Sequence, residues 1–469
     1  MRRTATVGRL AASEAVKQFG TRAANVGRDE DAAREASARR QLETAKQIVA
    51  ALGTMKGAAM KLGQVMSFLD VGLVPEEHRE EFQRELAKLR DNAPRVSFKQ
   101  MRAVIEEELE AKIADLFEEF DEEPIAAASI GQVYRARLKR DVVEGASSDA
   151  PAPARGREVA VKVQYPGVAS AVRSDMQNLD MLLRLMKRMT PALDVKGLAA
   201  EIRERIAEEL DYELEAQNQR SLARIFRGHP FIAIPDVVSE LSRERVLVSE
   251  FVRGVGFEQL KEYEQAERDR IGEIVFRFYL GCVYRHREFS GDPHPGNFML
   301  LADGRVAFLD FGLFKRIDAR PVELELACQR AVSEGDAQAV HRLLDEAGFL
   351  PEPERVDPEH LLAFVEDAIW WYTTDEEVQL TQEIATEVLI ESSDPRSSHF
   401  REMRHQSMQP EHLFGRRTEM LTLAVLAQLG ARANWHRIAR EWMYGEPAVT
   451  ELGREEEQFY RRSGVGAAG

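Results

Sequence analysis

The chain has 469 residues, of which 80 are Asp or Glu and 64 are Lys or Arg, so its formal net charge is −16. Hydrophobic residues make up 44% of the sequence, which is enough for a buried core and excludes wholesale disorder. The acidic balance argues against nonspecific nucleic-acid binding, which requires a basic surface. Cys282 and Cys328 are the two cysteines, and neither stands in a Cys-x-x-Cys pair, so neither a disulfide scaffold nor a cysteine zinc site is expected.

The sequence carries no pattern typical of secretion or of a membrane span. Met1–Leu10 is basic, but no unbroken apolar run follows it as in a signal peptide. No stretch reaches the roughly 18–20 consecutive apolar residues of a spanning helix. We therefore expect a cytoplasmic protein without a signal peptide or transmembrane helix, whose membrane contact, if any, is peripheral.

The N-terminal part of the chain is predicted to be a loose arm followed by helices. Residues 1–36 are mainly small and polar and are expected to form a flexible arm. Within residues 37–120, apolar residues recur at spacings of three and four between Leu52 and Met66, which indicates one face of a long helix. Pro75–Leu89 and Ser97–Phe120 are also predicted to be helical from their periodicity.

A strand-rich region is predicted over residues 121–256. Its first two strands are separated by a connection rich in Ala, Ser, Pro, Asp and Gly, which favours a long flexible hairpin. Helices are inserted before a second pair of strands. The predicted strands are Ile130–Leu138, Glu158–Gln164, Phe231–Val238 and Arg245–Phe251, the helices are Met176–Met189 and Leu198–Gln219, and Phe251–Gly256 is a predicted turn.

Residues 257–469 are predicted to be mainly helical. The exception is a short hairpin, Phe298–Leu301 and Val306–Leu309, joined at an Asp303-Gly304 turn. We expect the aromatic run Trp370–Tyr372 to pack between helices, with a membrane-facing cluster as the alternative. The predicted order is a helical block, a small strand-rich unit and a helical unit with one hairpin. This order predicts an α+β, bilobal, protein-kinase-like fold with an additional helical block in front.

The strongest chemical signal lies between Ser290 and Gly312. Asp292 is followed five positions later by Asn297, and the predicted hairpin then leads to Asp310 in an Asp-Phe-Gly sequence. Phosphoryl transfer needs a carboxylate that orients the nucleophile and oxygen ligands that hold Mg²⁺ against the phosphates. Either motif alone is an ordinary turn, but both in this order are typical of a kinase catalytic site. We expect Asp292 to be catalytic and Asn297 and Asp310 to bind the metal.

A candidate phosphate-binding lysine stands on one of the predicted strands. Lys162 ends the sequence Val-Ala-Val-Lys, which matches the kinase pattern in which lysine contacts the α- and β-phosphates. Its expected ion-pair partner is a helical acid, and Glu209, Asp211 and Glu215 are all candidates. The spacing does not choose among them, and a solvated acidic helix face is the alternative.

Two further segments are expected to contact the nucleotide. Arg245–Phe251 is predicted to lead into a hinge in which the backbone from Glu250 to Val252 donates to and accepts from adenine, with a plain core strand as the alternative. The phosphate-covering loop of a kinase is glycine-rich, whereas here it is rich in alanine, whose Cβ resists positive φ and stiffens the loop. The predicted nucleotide-contacting residues of this alanine loop are Ala126, Ala127, Ala128, Ser129, Gly131 and Gln132.

Together these motifs resemble the UbiB/AarF-domain family of atypical protein-kinase-like proteins. The resemblance spans roughly Lys61 to Lys315 and is specific because several motifs occur in order. It implies that a helix bearing the Lys-x-Gly-Gln motif packs across the nucleotide cleft. The matching segments are Lys61-Leu-Gly63-Gln64, the alanine loop, Val-Ala-Val-Lys162, Glu209-Leu-Asp211, Asp-Pro-His-Pro-Gly-Asn297 and Asp310-Phe-Gly.

The resemblance also assigns roles within the cleft. It implies that Lys61 acts in catalysis and cleft closure by meeting Glu209 and Asp211, so that Glu215 becomes the ion-pair partner of Lys162. Taken by itself, Lys61 beside an apolar stripe would simply extend into solvent. Gly63 and Gln64 complete the cleft-closing motif.

Departures from a conventional protein kinase shape the functional expectation. Gly291 precedes Asp292 where kinases place Arg, and no Ala-Pro-Glu follows Gly312, so a peptide-docking activation segment is not expected. The resemblance implies a Mg²⁺-dependent protein that binds ATP or ADP, with ATPase or small-molecule or lipid phosphotransferase activity. It further implies a role in isoprenoid-quinone or other lipid metabolism, with a lipid-like partner.

Two alternatives to this enzyme remain open. The first is a nucleotide-binding scaffold or chaperone with little turnover, since a helix over the cleft would block substrates. The second is a small-molecule kinase similar to aminoglycoside phosphotransferases, which carry a related Gly-Asp-x-His-x-Gly-Asn loop. The Lys61 motif and the alanine loop argue against the second alternative.

Overall fold

The computed structural model describes residues 96–128, 130–139, 156–173, 203, 207–350, 352–391 and 410–464. The predicted arm and most of the predicted helical extension lie outside the described residues, and with them Lys61, Gly63 and Gln64. Ser129 of the alanine loop also lies outside them. The chain divides into two compact units, Met1–Glu213 with Leu241–Val248, and Leu214–Glu240 with Ser249–Gly469.

The described elements mix helices and strands, which confirms the predicted α+β class. We number them in chain order. The helices are α1 (Phe98–Glu108), α2 (Ile113–Leu116), α3 (Tyr212–Ile225), α4 (Phe257–Leu260), α5 (Gln265–Gly281), α6 (Ala319–Ser333), α7 (Ala337–Glu346), α8 (Pro358–Thr373), α9 (Gln382–Glu391), α10 (Pro410–Leu429), α11 (Trp435–Met443) and α12 (Glu451–Ser463). The strands are β1 (Phe117–Phe120), β2 (Ala126–Ala127), β3 (Gly131–Leu138), β4 (Glu158–Gln164), β5 (Ile232–Ala233), β6 (Val246–Glu250), β7 (Gly254–Gly256), β8 (Glu288–Ser290), β9 (Phe298–Leu301), β10 (Val306–Phe308), β11 (Phe314–Arg316), β12 (Val378–Gln379) and β13 (Arg432–Ala433).

The first unit is built on a five-stranded sheet. Its strand order is β1-β3-β4-β6, and β2 pairs with the start of β3. Strands β3 and β4 pair antiparallel, and alternate residues of each are buried, so one face of the sheet forms the core of this unit. Helix α1 buries Met101, Val104 and Ile105, which are spaced as one apolar face.

The structure corrects the helix predicted over Ser97–Phe120. Helix α1 ends at Glu108, and Glu110 has a left-handed backbone with φ of 52°. The chain then forms the short helix α2 and strand β1, which pairs with β3. The rings of Phe117 and Phe120 lie 5.3 Å apart, and Phe120 lies 5.6 Å from Tyr134 of β3. This aromatic packing against the sheet outweighs the helical propensity of a segment rich in Glu.

Three other predicted boundaries also differ from the structure. The strand predicted over Phe231–Val238 is reduced to Ile232–Ala233, which pairs parallel with β10. The predicted turn Phe251–Gly256 contains strand β7, which pairs with β9. The helix predicted over Leu198–Gln219 is interrupted at Asp211, where the backbone is not helical, before α3 begins.

The core of the second unit forms around helix α5. Phe276 and Phe278 of this helix are fully buried or nearly so, and the rings of Phe278 and Phe308 stack at 3.6 Å. Trp371 and Tyr372 are each 1% exposed, so within Trp370–Tyr372 the packing interpretation is confirmed for these two residues. Gly272 lets α5 approach the segment that follows α10 closely, because a Cβ at this position would lie 2.4 Å from the Cβ of Ala431.

A buried ionic network ties the C-terminal helix α12 to α5. The guanidinium of Arg277 donates to Glu273 at 2.7 Å, to Glu441 at 2.7 Å and to Glu456 at 2.9 Å. The Nε2 atom of His229 lies 3.6 Å from the Oε1 atom of Glu456. These contacts give the charged groups counterions inside the protein. Among the described residues, no helix has the length and apolar character needed to cross a membrane.

Candidate functional site

The catalytic loop of the second unit begins where α5 ends. A wide helical turn, Cys282–His286, and a left-handed Arg287 with φ of 56° lead the chain into β8. Strand β8 pairs antiparallel with β11, so Ser290 stands opposite Phe314. The amide of Gly291 donates to the carbonyl of Leu313 at 2.6 Å. The loop that carries Asp292 is therefore anchored to the segment that follows the Asp-Phe-Gly sequence.

Hydrogen bonds within the loop fix Asn297 relative to Asp292. A short 3₁₀ turn covers Pro295–Asn297, and the Nδ1 atom of His294 accepts from the amide of Gly296 at 3.0 Å. The Nδ2 atom of Asn297 donates to the backbone oxygen of Asp292 at 3.0 Å. Because the amide nitrogen faces the loop, the Oδ1 atom of Asn297 is turned away from it. This orientation suits an oxygen ligand for a metal.

Strands β9 and β10 bring Asp310 back to this loop. The amide of Leu309 donates to the carbonyl of Asn297 at 2.9 Å, next to Asp310 in the chain. The Oγ atom of Ser290 donates to the backbone oxygen of Asp310 at 3.1 Å, and the Oδ1 atom of Asp310 accepts from the amide of Gly312 at 3.0 Å. The structure thus brings together Asp292, Asn297 and Asp310, all of which are half-buried.

Helix α3 packs against the Asp-Phe-Gly segment. The Nδ2 atom of Asn218 lies 3.4 Å from the backbone oxygen of Phe311, to which it donates. A Cβ built on Gly312 would lie 3.4 Å from the Oε2 atom of Glu215, which is 3% exposed. Of the three predicted acids, Glu215 is therefore the one that the second unit places at this segment. Sequence reasoning missed Asn218, although it follows Glu215 by three positions on the same helix face.

Tyr279 of α5 is a second residue that sequence reasoning missed. Burial raises the pKa of its hydroxyl well above its ordinary value, and the negative charges of Asp292 and Asp310 raise it further. The hydroxyl also shares a hydrogen bond with the backbone of His294. The Tyr279 hydroxyl, which lies near enough to feel the charges of Asp292 and Asp310, thus stays protonated at neutral pH. In the sequence it is one aromatic residue on an apolar helix, so only the fold reveals its position.

The first unit places Lys162 at the centre of its sheet. Lys162 stands opposite Val133 in the pairing of β3 with β4, and its Nζ atom lies 5.0 Å from the centre of the Tyr212 ring. Gly131 has no room for a side chain, because a Cβ there would lie 2.2 Å from the oxygen of Val163 and 2.9 Å from the Tyr212 hydroxyl. A glycine is therefore required at the start of β3.

The alanine loop forms a tight hairpin on the same sheet. Ala126 and Ala127 pair with β3 opposite Val133 and Gln132, and the amide of Ala128 donates to the oxygen of Gly131 at 2.8 Å. No described residue of this loop has positive φ, which is consistent with alanine in place of glycine. The side chain of Gln132 is buried and accepts from the Tyr134 hydroxyl at 2.5 Å, so it contributes to the sheet interior.

One backbone amide of the predicted hinge already donates a hydrogen bond within the second unit. The amide of Glu250 donates to the oxygen of Asp236 at 2.8 Å. Glu250–Arg253 line a cavity of about 500 Å³, and Asp292, Asn297 and Asp310 do not line it. Because the Glu250 amide already donates to Asp236, a backbone donor to adenine would have to come from a later residue, such as Val252.

The predicted metal ligands fit magnesium by their chemistry. The Asn297 amide and the Asp310 carboxylate supply oxygen atoms, which are the donors that Mg²⁺ prefers. Among the described residues, no group of three His, Cys, Asp or Glu side chains could hold a metal ion. Such a small set of protein ligands suits Mg²⁺ that completes its shell with phosphate oxygens and water.

Comparisons with known proteins agree with these motifs. The ABC1 atypical kinase-like domain family matches residues 88–344. The chain is 32% identical over 307 residues to the mitochondrial atypical kinase COQ8B of Rattus norvegicus, covering 65% of this chain and 54% of that protein. It is 30% identical over 267 residues to AarF domain-containing protein kinase 1 of Xenopus laevis, covering 55% of this chain and 48% of that protein. The chain thus spans about half the length of the curated relatives it matches.

A solved structure is similar over most of the chain. The Mycobacterium tuberculosis protein Rv3197, determined as a complex with erythromycin, has a TM-score of 0.61 and 28% sequence identity. The match covers 88% of this chain and 100% of that one.

Proposed function

Because the chain belongs to the ABC1 atypical kinase-like family, we propose that it binds a Mg²⁺–nucleotide complex and transfers the terminal phosphoryl group. The predicted UbiB/AarF resemblance and the kinase-like fold are confirmed by the family match and by the solved relative. The proposal goes further, to ATP or ADP as the nucleotide and to water, a small molecule or a lipid as the phosphoryl acceptor.

The observation that carries the proposal is the hydrogen-bonded loop that joins Asp292, Asn297 and Asp310. Asn297 is fixed to the backbone of Asp292, and Asp310 is fixed by Ser290 and Gly312. In the proposed reaction Asp292 orients the acceptor hydroxyl or water and takes its proton, while the oxygens of Asn297 and Asp310 hold the metal. Bound Mg²⁺ would neutralise charge that develops on the phosphates.

The first unit would supply the phosphate contacts. Lys162 lies on the same sheet as the alanine hairpin, which matches the kinase arrangement of a lysine strand beside a phosphate-covering loop. We propose that Lys162 binds the phosphates and pairs with Glu215. We further propose that Lys61 meets Glu209 and Asp211 to close the cleft, in a motif that lies outside the described residues.

A peptide is the least suitable acceptor, because the sequence after Gly312 lacks the Ala-Pro-Glu of a peptide-docking segment. We propose a lipid-like acceptor or regulator and a place in isoprenoid-quinone or other lipid metabolism, with peripheral membrane contact. Support comes from the family resemblance and from relatives named as a mitochondrial atypical kinase and as a chloroplastic activity of BC1 complex kinase.

The deciding experiment is phosphate release from Mg²⁺–ATP by purified protein. Asp310→Asn should abolish turnover because it removes a charged metal ligand. Asp303→Asn makes the same chemical change at the exposed tip of the same hairpin and should leave turnover unchanged. Turnover that survives Asp310→Asn would contradict the proposed metal site. If the wild type binds nucleotide without turnover, the scaffold alternative replaces the enzyme.

A second candidate function is macrolide binding. It is favoured by the solved relative, whose whole chain is covered and whose structure contains erythromycin. Calorimetric titration of erythromycin into the purified protein, with and without Mg²⁺–ATP, tests it directly. Saturable binding would support this function, and no heat of binding at millimolar drug would remove it.

A further inference from the structure

The buried side of α3 carries a row of three polar residues, which we call the polar stripe. Its members, Glu215, Asn218 and Ser221, are 3%, 8% and 8% exposed. Residues three apart are neighbours on a helix surface, so the stripe runs along α3 beside the buried apolar residues Ala216 and Leu222. A polar group is buried at a cost unless it finds a partner. The partners of the polar stripe therefore indicate its role.

The polar stripe contacts both catalytic segments of the second unit. Glu215 and Asn218 lie against the Asp-Phe-Gly segment. One turn further along α3, the Ser221 hydroxyl donates to the Oε2 atom of Glu288 at 2.8 Å. Glu288 is the first residue of β8, the strand that leads into the loop carrying Asp292. The third member of the stripe thus connects α3 to the base of the catalytic loop.

Glu288 accepts hydrogen bonds on both of its carboxylate oxygens. Its Oε1 atom accepts from the Nε atom of Arg316 of β11 at 3.0 Å. The side chain of Arg316 is 67% exposed, whereas that of Glu288 is 22% exposed. A serine inside a helix commonly donates to the carbonyl four residues earlier, but Ser221 donates to this carboxylate. Glu288 therefore joins α3, β8 and β11, and its bond with Ser221 is the one that reaches α3.

Contacts at three levels fix both the height and the rotation of α3. Glu215 and Ser221 are six residues apart, which is about 9 Å along a helix axis. Apolar contacts are not directional and tolerate small movements of a helix, whereas hydrogen bonds weaken steeply when their geometry changes. A shift of α3 would move Glu215 and Asn218 relative to the segment that carries Asp310, the proposed metal ligand.

We propose that Ser221 and Glu288 are positioning residues for phosphoryl transfer. Their hydrogen bond holds α3 in the register at which Glu215 and Asn218 support the Asp-Phe-Gly segment. Neither Ser221 nor Glu288 contacts the nucleotide in this role, because their effect reaches the metal site through α3. The inference rests on the proposed function, since it assigns both residues to that reaction.

Turnover of Mg²⁺–ATP by the full chain tests the proposal in variants that remove one end of the bond. Ser221→Ala deletes the hydroxyl, and Glu288→Met removes both carboxylate oxygens from a side chain of similar length. Each should lower kcat by at least about fivefold, because small displacements near the reacting groups have large effects on rate. The double variant should lose no more than the larger single loss, because both changes remove the same bond.

Two further variants keep the bond. In Glu288→Gln the amide can bond to the Ser221 hydroxyl in either orientation, so turnover should recover relative to Glu288→Met. Arg316→Gln removes the exposed ion pair and leaves the bond from Ser221 in place. Both variants should turn over within about twofold of the wild type, since exposed ion pairs contribute little. A loss in Arg316→Gln equal to that in Ser221→Ala would overturn the proposal.

Thermal midpoints measured on the same proteins separate positioning from stability. A bond that only stabilises the fold would lower the midpoint and leave kcat of the folded protein unchanged, and this result would overturn the proposal. Additive losses in the double variant would overturn it as well.

The proposed function fails separately if the wild type binds nucleotide without turnover. The Kd for Mg²⁺–ADP then replaces kcat as the measurement. A Kd at least about threefold weaker in Ser221→Ala, but unchanged in Arg316→Gln, would support the positioning role at the nucleotide site. Equal Kd values in the wild type and Ser221→Ala would overturn it.

Discussion

Two regions of the second unit hold carboxylates in opposite ways. Around Arg277, three glutamates receive hydrogen bonds from one guanidinium and are shielded from water. On the catalytic loop, Asp292 and Asp310 are half-buried, and a carboxylate oxygen of Asp310 accepts a hydrogen bond from the backbone amide of Gly312. The first region buries its carboxylates around one guanidinium, whereas the second keeps its carboxylates partly accessible.

This contrast suggests how carboxylates that act in catalysis can be distinguished from carboxylates that stabilise the fold. A buried salt-bridge network loses much when one member is removed, because the remaining charges stay buried. A half-buried carboxylate whose charge serves a ligand can be replaced at little structural cost. Measuring activity and stability in the same variants separates the two cases.

After the loss of turnover expected for Asp310→Asn, the next largest effect is expected for Asp292→Asn. Turnover of Mg²⁺–ATP should fall by about 10²–10⁴-fold, because the variant cannot take a proton from the acceptor. The thermal midpoint should stay close to that of the wild type. A steady-state phosphate-release assay with parallel calorimetry checks both. Turnover within tenfold of the wild type would assign the catalytic role to another residue.

Arg277→Met should show the reverse pattern. We expect a loss of about 3–5 kcal/mol in the free energy of unfolding, because three glutamates lose their shared counterion. Urea denaturation measures the loss, and the folded fraction should keep wild-type turnover. Arg320→Met is the matched control, since the Arg320–Glu346 pair is exposed and should contribute under about 1 kcal/mol. Similar losses of stability in both variants would show that the buried network around Arg277 stabilises the fold no more than an exposed ion pair does.

The same network predicts how stability depends on pH. Burial alone would raise the pKa of Glu456, but the nearby imidazole of His229 and the charge of Arg277 lower it to about 2. A depressed carboxyl pKa stabilises the fold at neutral pH, and this contribution is lost as the pH falls from near 4.5 towards 2. Burial also lowers the pKa of His229, so its contribution likewise declines as the pH falls through about 6.5.

Urea denaturation between pH 7 and pH 2.5 tests this dependence. The wild type should lose on the order of 3 kcal/mol more than Glu456→Gln over this range. Identical pH profiles for the two proteins would show that Glu456 titrates normally in the fold.

The smallest effect is expected for Tyr279→Phe. The variant keeps the ring in the core but removes the hydroxyl beneath Asp292 and Asp310. Turnover should fall by about threefold to tenfold through loss of one neutral hydrogen bond, while KM for the nucleotide stays unchanged. The free energy of unfolding should change by about 1 kcal/mol. A rise in KM with constant kcat would instead indicate a role in binding.

The sequence allowed prediction of those parts of the site that lie within a short stretch of chain. A few residues and one hairpin separate Asp292, Asn297 and Asp310. Their spacing in the sequence was therefore enough to predict that they act together. Strands β3 and β4 were also predicted nearly to the residue, because alternation over a half-buried sheet is a local signal.

Other parts depend on contacts between distant segments. Asn218 donates a hydrogen bond to the backbone of Phe311, which lies 93 positions later in the chain, and no spacing rule connects the two residues. Tyr279 gains its significance only once α5 is packed beneath the loop. Strand β1 was predicted as helix because its Glu-rich composition is locally helical, whereas its pairing with β3 is a tertiary effect.

The division of the chain into units has a consequence for biosynthesis. The sheet of the first unit is completed by β6, which is made only after the segment Leu214–Glu240 of the other unit has been translated. Until then the edge of β4 has no neighbour on that side, and a nascent chain would present an unpaired strand. A ribosome adds about 5–20 residues per second, so this edge stays open for about 4–17 seconds in every round of translation. That interval is when a chaperone acting on the nascent chain would matter most.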